Sequence, residues 1–213
     1  MKPTQSIPQR LTIFLVVFFV VWTLRVILLS TFLNPPHPTF WLEMAGIALK
    51  WMLWVLPVIV LVRLEHSNPM TFLRLSSRVG QGILTGFVVG LIYALGIVLV
   101  GHVVHNSSLN FAALLNVPLV LISAALPEEL LFRGYVMAHL ETFLPFWEAN
   151  LVCALLFLAS HFAGWTFYGL WSVQNTIVVF VVGLICGVLV RRTNSIWSGV
   201  VFHTLNNLAA LIG

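Results

Sequence analysis

The chain of 213 residues is 60% hydrophobic and only 8% charged, with 10 Lys and Arg against 6 Asp and Glu and a formal charge of +4. A soluble domain keeps about 25% charged residues, so a water-covered surface is excluded and a bilayer is the solvent. The basic excess lies in short connections between apolar runs, without aromatic–basic interleaving, so it reads as membrane topology and excludes a nucleic-acid surface.

A spanning helix needs about 20 mostly apolar residues. Seven runs approach that length, at roughly 11–33, 41–62, 81–104, 109–133, 147–164, 173–190 and 196–212. The first run is too long for a signal-peptide core and lacks a small-x-small cleavage site after it, so it reads as a retained helix. The expectation is an all-α, polytopic membrane helix bundle of about seven spans, forming a single membrane domain over 1–213. No linker long enough to separate domains and no internal repeat interrupts it.

Orientation follows from the basic residues. Lys2 and Arg10 precede the first run, Arg63, Arg74 and Arg78 follow the second, and Arg191 and Arg192 follow the sixth. Seven spans place all of these on one side, and the positive-inside rule makes it the cytoplasmic side, with the N-terminus inside. The connections at 34–40, 105–108 and 165–172 contain no Lys or Arg. Compact length and the absence of organelle signals point to a prokaryotic plasma (inner) membrane. Gly82, Gly86 and Gly90, and Gly183 with Gly187, recur every four residues. Such spacing lets helix backbones approach in lipid. Internal packing is the expected use, and a homodimer interface the alternative. Cys153 and Cys186 both sit in apolar runs and read as free thiols.

A charge at membrane depth costs about 2.5–3.5 kcal/mol on insertion scales, so ionisable residues inside the spans need partners. Arg25 and Glu43 lie toward the outer side, where they can pair or snorkel, and Lys50 lies near mid-span; all three read as structural or interfacial. The stretch Pro127-Glu128-Glu129-Leu130-Leu131-Phe132-Arg133-Gly134 holds two adjacent carboxylates. Glu129 and Arg133 are four apart and face each other on a helix, whereas Glu128 points about 100° away and lacks this local partner. Pro127 suits a helix break just before the pair. A poorly solvated carboxylate suits general acid–base work. His161 follows Phe157-Leu158-Ala159-Ser160, and His203 and Asn207 share one helical face four residues apart. Each feature alone is as compatible with an interhelical polar contact. Together, one spare carboxylate and two imidazoles on three helices can activate a water and stabilise a tetrahedral intermediate, or bind zinc. HExxH and GxSxG are absent, and the chain has no Asp for a Ser-His-Asp set.

At these residues the sequence resembles the CPBP intramembrane protease family, which includes type II CAAX prenyl endopeptidases and the Abi bacteriocin-processing and immunity proteins. Its EExxxR, FxxxH and HxxxN pattern reads here as Glu128-Glu129…Arg133, Phe157…His161 and His203…Asn207, in order, within about 110–212. The helices at about 11–104 look like the variable part. The resemblance implies an intramembrane endopeptidase cutting a membrane-associated, prenylated or leader-bearing peptide. Glu128 and His161 would activate water, His203 and Asn207 would stabilise the oxyanion, and Glu129 and Arg133 would hold the site together. The expected mechanism is metal-independent. The competing version has Zn on Glu128, His161 and His203. Membrane lipids and a peptide or protein substrate are the implied partners. A non-enzymatic immunity or scaffold protein and a small transporter are the alternatives. One difficulty accompanies the 109–133 span: it puts Glu128 near the cytoplasmic end of its helix and His161 near the far end of the next. Helix five must then start later, tilt, or follow an interfacial helix near 135–146.

Overall fold

The computed structural model describes residues 7–32, 39–65, 68–105 and 108–212. Lys2, the Asn34–Pro38 connection and part of 105–108 lie outside the described residues. Seven helices carry the fold: α1 (Ile7–Phe32), α2 (Phe40–Glu65), α3 (Val79–His105), α4 (Phe111–Leu140), α5 (Phe146–Tyr168), α6 (Val173–Thr193) and α7 (Ile196–Ile212). Six of them are long and apolar enough to cross a membrane, and α7 is a shorter apolar helix of 17 residues. No strand occurs among the described residues. The chain is an integral membrane protein built as a polytopic helical bundle, as composition and run length predicted.

Alternation of the helices brings the basic connections to one end. Glu141, just after α4, accepts Arg74 at 3.2 Å and lies 3.4 Å from Arg191. Beside them, Ile196 N–H donates to the Arg74 carbonyl at 3.3 Å and the Trp197 indole to the Leu75 carbonyl at 2.8 Å. At the opposite end Asn110 N–H caps the Ile212 carbonyl at 2.9 Å, closing the start of α4 against the end of α7.

The small residues serve internal packing. A Cβ on Gly86 would lie 2.5 Å from the Ser198 carbonyl oxygen, and one on Gly82 would lie 2.5 Å from Ser195 Oγ, so α3 presses backbone-close on α7. Lipid supplies no hydrophobic drive between helices, so such close contact is itself the adhesive. At Gly187 a Cβ would collide with the Asn150 side chain, fitting α6 to α5. Cys153 and Cys186 are buried and free.

Two expectations about α4 need correcting. It runs to Leu140 and not to 133, and Pro127 does not break it. The proline lacks an N–H, but α4 absorbs the defect by widening: Leu126 N–H bonds to Leu121 O, five residues back, and Met137 N–H bonds to Phe132 O in the same way. These π-turns redistribute the backbone bonds around the proline. A tight turn at 141–145 then leads into α5 at Phe146, with no separate interfacial helix at 135–146. Glu128 therefore sits mid-helix, 12 residues or about 18 Å before Leu140, and His161 lies 15 residues or about 22 Å after Phe146. The antiparallel helices carry both to similar depth without a late start for α5.

Candidate active site

Glu129 is the centre of the polar cluster and is wholly buried. Its Oε1 accepts Arg133 Nη1 at 2.9 Å and His203 Nδ1 at 3.0 Å. Arg133 spends its second nitrogen on the Gly183 carbonyl at 2.8 Å and lies over the Phe157 ring at 4.5 Å. The guanidinium fork makes that double engagement possible. Two glycines admit the group. A Cβ on Gly199 would approach Glu129 Oε2 to 2.8 Å, and one on Gly183 would approach Arg133 Nη2 to 3.3 Å. The expected i,i+4 pair thus forms, and it ties α4 to both α6 and α7.

Because a carboxylate can only accept, the Nδ1 of His203 carries the proton toward Glu129, and its Nε2 faces Glu128 Oε2 at 3.8 Å. His203 thereby spans the two glutamates. His161 is held within its own helix: Nδ1 donates to the Phe157 carbonyl at 2.9 Å, which leaves Nε2 as the ring's basic atom. A cavity of about 160 Å³ lies inside the bundle, with Glu128 and His161 in its wall and Trp22, Trp54, Ser160 and Trp165 around them. Trp22 is fixed there by donating to the Ser160 carbonyl at 2.9 Å.

Glu128 has a partner the motif did not indicate. Lys50 Nζ on α2 meets Oε1 at 2.6 Å while lying 4.7 Å from the centre of the Trp54 ring. Reading Lys50 as structural or interfacial missed this contact. A usable signal was present: a lysine amid apolar sequence must find an acid, and only Glu128 and Glu129 lie deep in a span. Arg25 and Glu43 line one hollow but form no ion pair among the described residues; Arg25 stacks on Trp22 at 4.9 Å. Asn207, half-buried, accepts Asn206 Nδ2 at 3.1 Å, and no hydrogen bond joins it to Glu128, Glu129, His161 or His203.

The donor set does not suit zinc. Glu128, His161 and His203 do not form a compact triad; among the described residues the compact group is Glu129, Cys186 and His203, within 4.8 Å of one another. That group sits directly against the Arg133 guanidinium, and Glu128 already holds Lys50. A dication would have to displace or face a buried cation at either carboxylate.

Residues 110–209 match the family model described as type II CAAX prenyl endopeptidase Rce1-like. Over these residues the chain is similar to the Rce1-like family. No curated protein and no solved structure gives a significant match. The Rce1-like region contains Glu128, Glu129, Arg133, His161, His203 and Asn207, and supports membrane-embedded endopeptidase activity at family level. Lys50 and Trp22 lie outside it, yet reach its cavity or its carboxylate.

Proposed function

We propose that the protein is a metal-independent intramembrane endopeptidase acting on a membrane-associated peptide. One observation carries this reading: Glu128 and His161, from two helices of the Rce1-like region, share the wall of a single internal cavity. In the proposed reaction a water held between them attacks the scissile carbonyl carbon. Glu128, assisted by His161 Nε2, takes the proton from the water as the new C–O bond forms. In its imidazolium form, with Nδ1–H held by Glu129, His203 donates to the oxyanion through Nε2–H, and Asn207 is the second donor. Collapse of the tetrahedral intermediate breaks the C–N bond, and the stored proton goes to the leaving nitrogen. The products are a carboxylic acid and an amine. Glu129 and Arg133 do no proton transfer here; they fix α4, α6 and α7 so that the imidazole stays aimed.

The test is cleavage of candidate membrane peptides by the purified protein in lipid, beside Glu128→Gln and His161→Ala. Both variants should lose cleavage while remaining folded, and treatment with a chelator should leave wild-type cleavage intact. Full cleavage by Glu128→Gln would refute the assignment. The Lys50 contact favours one other reading, a non-enzymatic membrane scaffold or immunity protein in which Glu128 serves only as an ion-pair partner. Under that reading Glu128→Gln changes stability alone.

A further inference from the structure

The catalytic cavity is not equidistant from the two faces of the bundle. His161 lies 15 residues from the start of α5 but only 7 from its end at Tyr168, about 10 Å. From His161 the cavity wall continues through Gly164, Trp165 and Tyr168 to Leu170, and the last two are well exposed. Its mouth is therefore the α5–α6 connection, which contains no Lys or Arg. A second hollow, of about 400 Å³, lies in the same half, with Lys50, Arg25 and Glu43 in its wall and Trp22 shared with the catalytic cavity.

The opposite route is sealed. Between the cavity and the basic end stand Phe18, Trp54, Phe132, Tyr135 and Phe157, each at most 5% exposed. They pack edge to face, with Trp54 and Phe132 centred 5.8 Å apart and Phe132 and Phe157 5.4 Å apart. A hollow at the basic end, beside Arg10 and Glu65, reaches Tyr135 and includes neither Glu128 nor His161 in its wall. A lateral groove between α1 and α2 is lined by apolar residues and touches Trp22, but again neither catalytic residue.

We infer that the site is approached from the face opposite the basic connections. By the positive-inside rule that face is the non-cytoplasmic one. The substrate is then a peptide segment presented at the outer surface of the membrane, such as an exported or membrane-inserted chain, and not a cytoplasmic C-terminus. The substrate class rests on the proteolytic reading; the route of access does not.

The experiment uses thiol accessibility in the full-length protein within cells. Gly164 lines the cavity and Gly80 lies at the start of α3 beside Arg78; a Cβ meets nothing within 4 Å at either position, so Gly164→Cys and Gly80→Cys fit without repacking. Leu170→Cys, at the exposed mouth, is the second cavity reporter should Gly164→Cys fail to fold. Cys153 and Cys186, 1% and 0% exposed, keep the background low. A small, charged, membrane-impermeant methanethiosulfonate should react with Gly164→Cys and Leu170→Cys in intact cells, and with Gly80→Cys only in inverted vesicles. Reaction of the cavity reporters only in inverted vesicles, or from the same side as Gly80→Cys, would overturn the inference. So would a folded Gly164→Cys reached only by a membrane-permeant maleimide, since that marks access from lipid. Labelling needs no turnover: repeating it on Glu128→Gln leaves the access result standing even where proteolysis fails.

Discussion

Lys50 and Glu128, 78 positions apart in sequence, meet at 2.6 Å in the interior of the bundle. The contact joins the N-terminal helices to the Rce1-like region at the very carboxylate proposed to activate water. A lone carboxylate there would bear a large desolvation cost, and the ammonium offsets it. Both side chains are largely shielded, at 13% and 8% exposure. Removing one partner of such a pair strands a buried charge, at a cost of about 3–5 kcal/mol, whereas replacing both with apolar groups is often neutral. Lys50→Met should therefore lower the thermal midpoint in detergent or lipid markedly. Lys50→Met combined with Glu128→Leu should recover most of the loss. Additive destabilisation in the double variant would show that the pair is not coupled.

The two imidazoles should separate cleanly into different phenotypes. His161 makes its hydrogen bond to its own helix and faces the cavity, so His161→Ala should cost cleavage about 100- to 10,000-fold, the usual range for an acid–base group, with a small change in stability. His203 contacts Glu129 in the buried cluster, so His203→Ala should reduce both cleavage and thermal stability. Parallel unfolding curves and single-turnover assays check the split. Equal destabilisation by the two substitutions would contradict it.

Arg133→Lys is not conservative here. The guanidinium serves Glu129 with one nitrogen and the Gly183 carbonyl with another, from a fully buried position. A lysine offers one point charge and cannot reproduce the fork. One buried acceptor is then left unsatisfied, worth about 1–3 kcal/mol. The expected result is a folded but less stable protein, measured as a lowered thermal midpoint, with slower cleavage because α6 is no longer tied to α4 through Gly183.

Much of this arrangement was legible in the chain because bilayers restrict what a sequence can do. Apolar runs and basic connections marked the helices, and the offset between Glu129 and Arg133 marked their pairing. The length of α4 was hidden: Arg133 looked like a helix end, but a buried arginine with two acceptors can continue a span, and π-turns let Pro127 pass unbroken. For Lys50 the need for a deep acid was legible, but the choice between Glu128 and Glu129 was not: it is set by how α2 leans on α4, and helix-to-helix placement leaves no periodicity in either segment. Arg25 and Glu43 line one hollow but do not pair, since sharing a hollow does not bring two charges within ion-pair distance.

The glycines of α3 provide the remaining prediction, and it links packing to the site. Gly86 is the tightest test, because its missing Cβ makes room for the Ser198 backbone one residue before Gly199, which in turn makes room for Glu129. Gly86→Val must push α7 away from α3, and overpacking of this kind costs about 1–3 kcal/mol. Displacing α7 also moves His203, so cleavage should fall more than stability alone would explain. Gly96→Val, where a Cβ meets nothing within 4 Å, is the matched control and should leave both intact. If Gly86→Val and Gly96→Val unfold and cleave alike, the close α3–α7 contact plays no part in holding His203 in place.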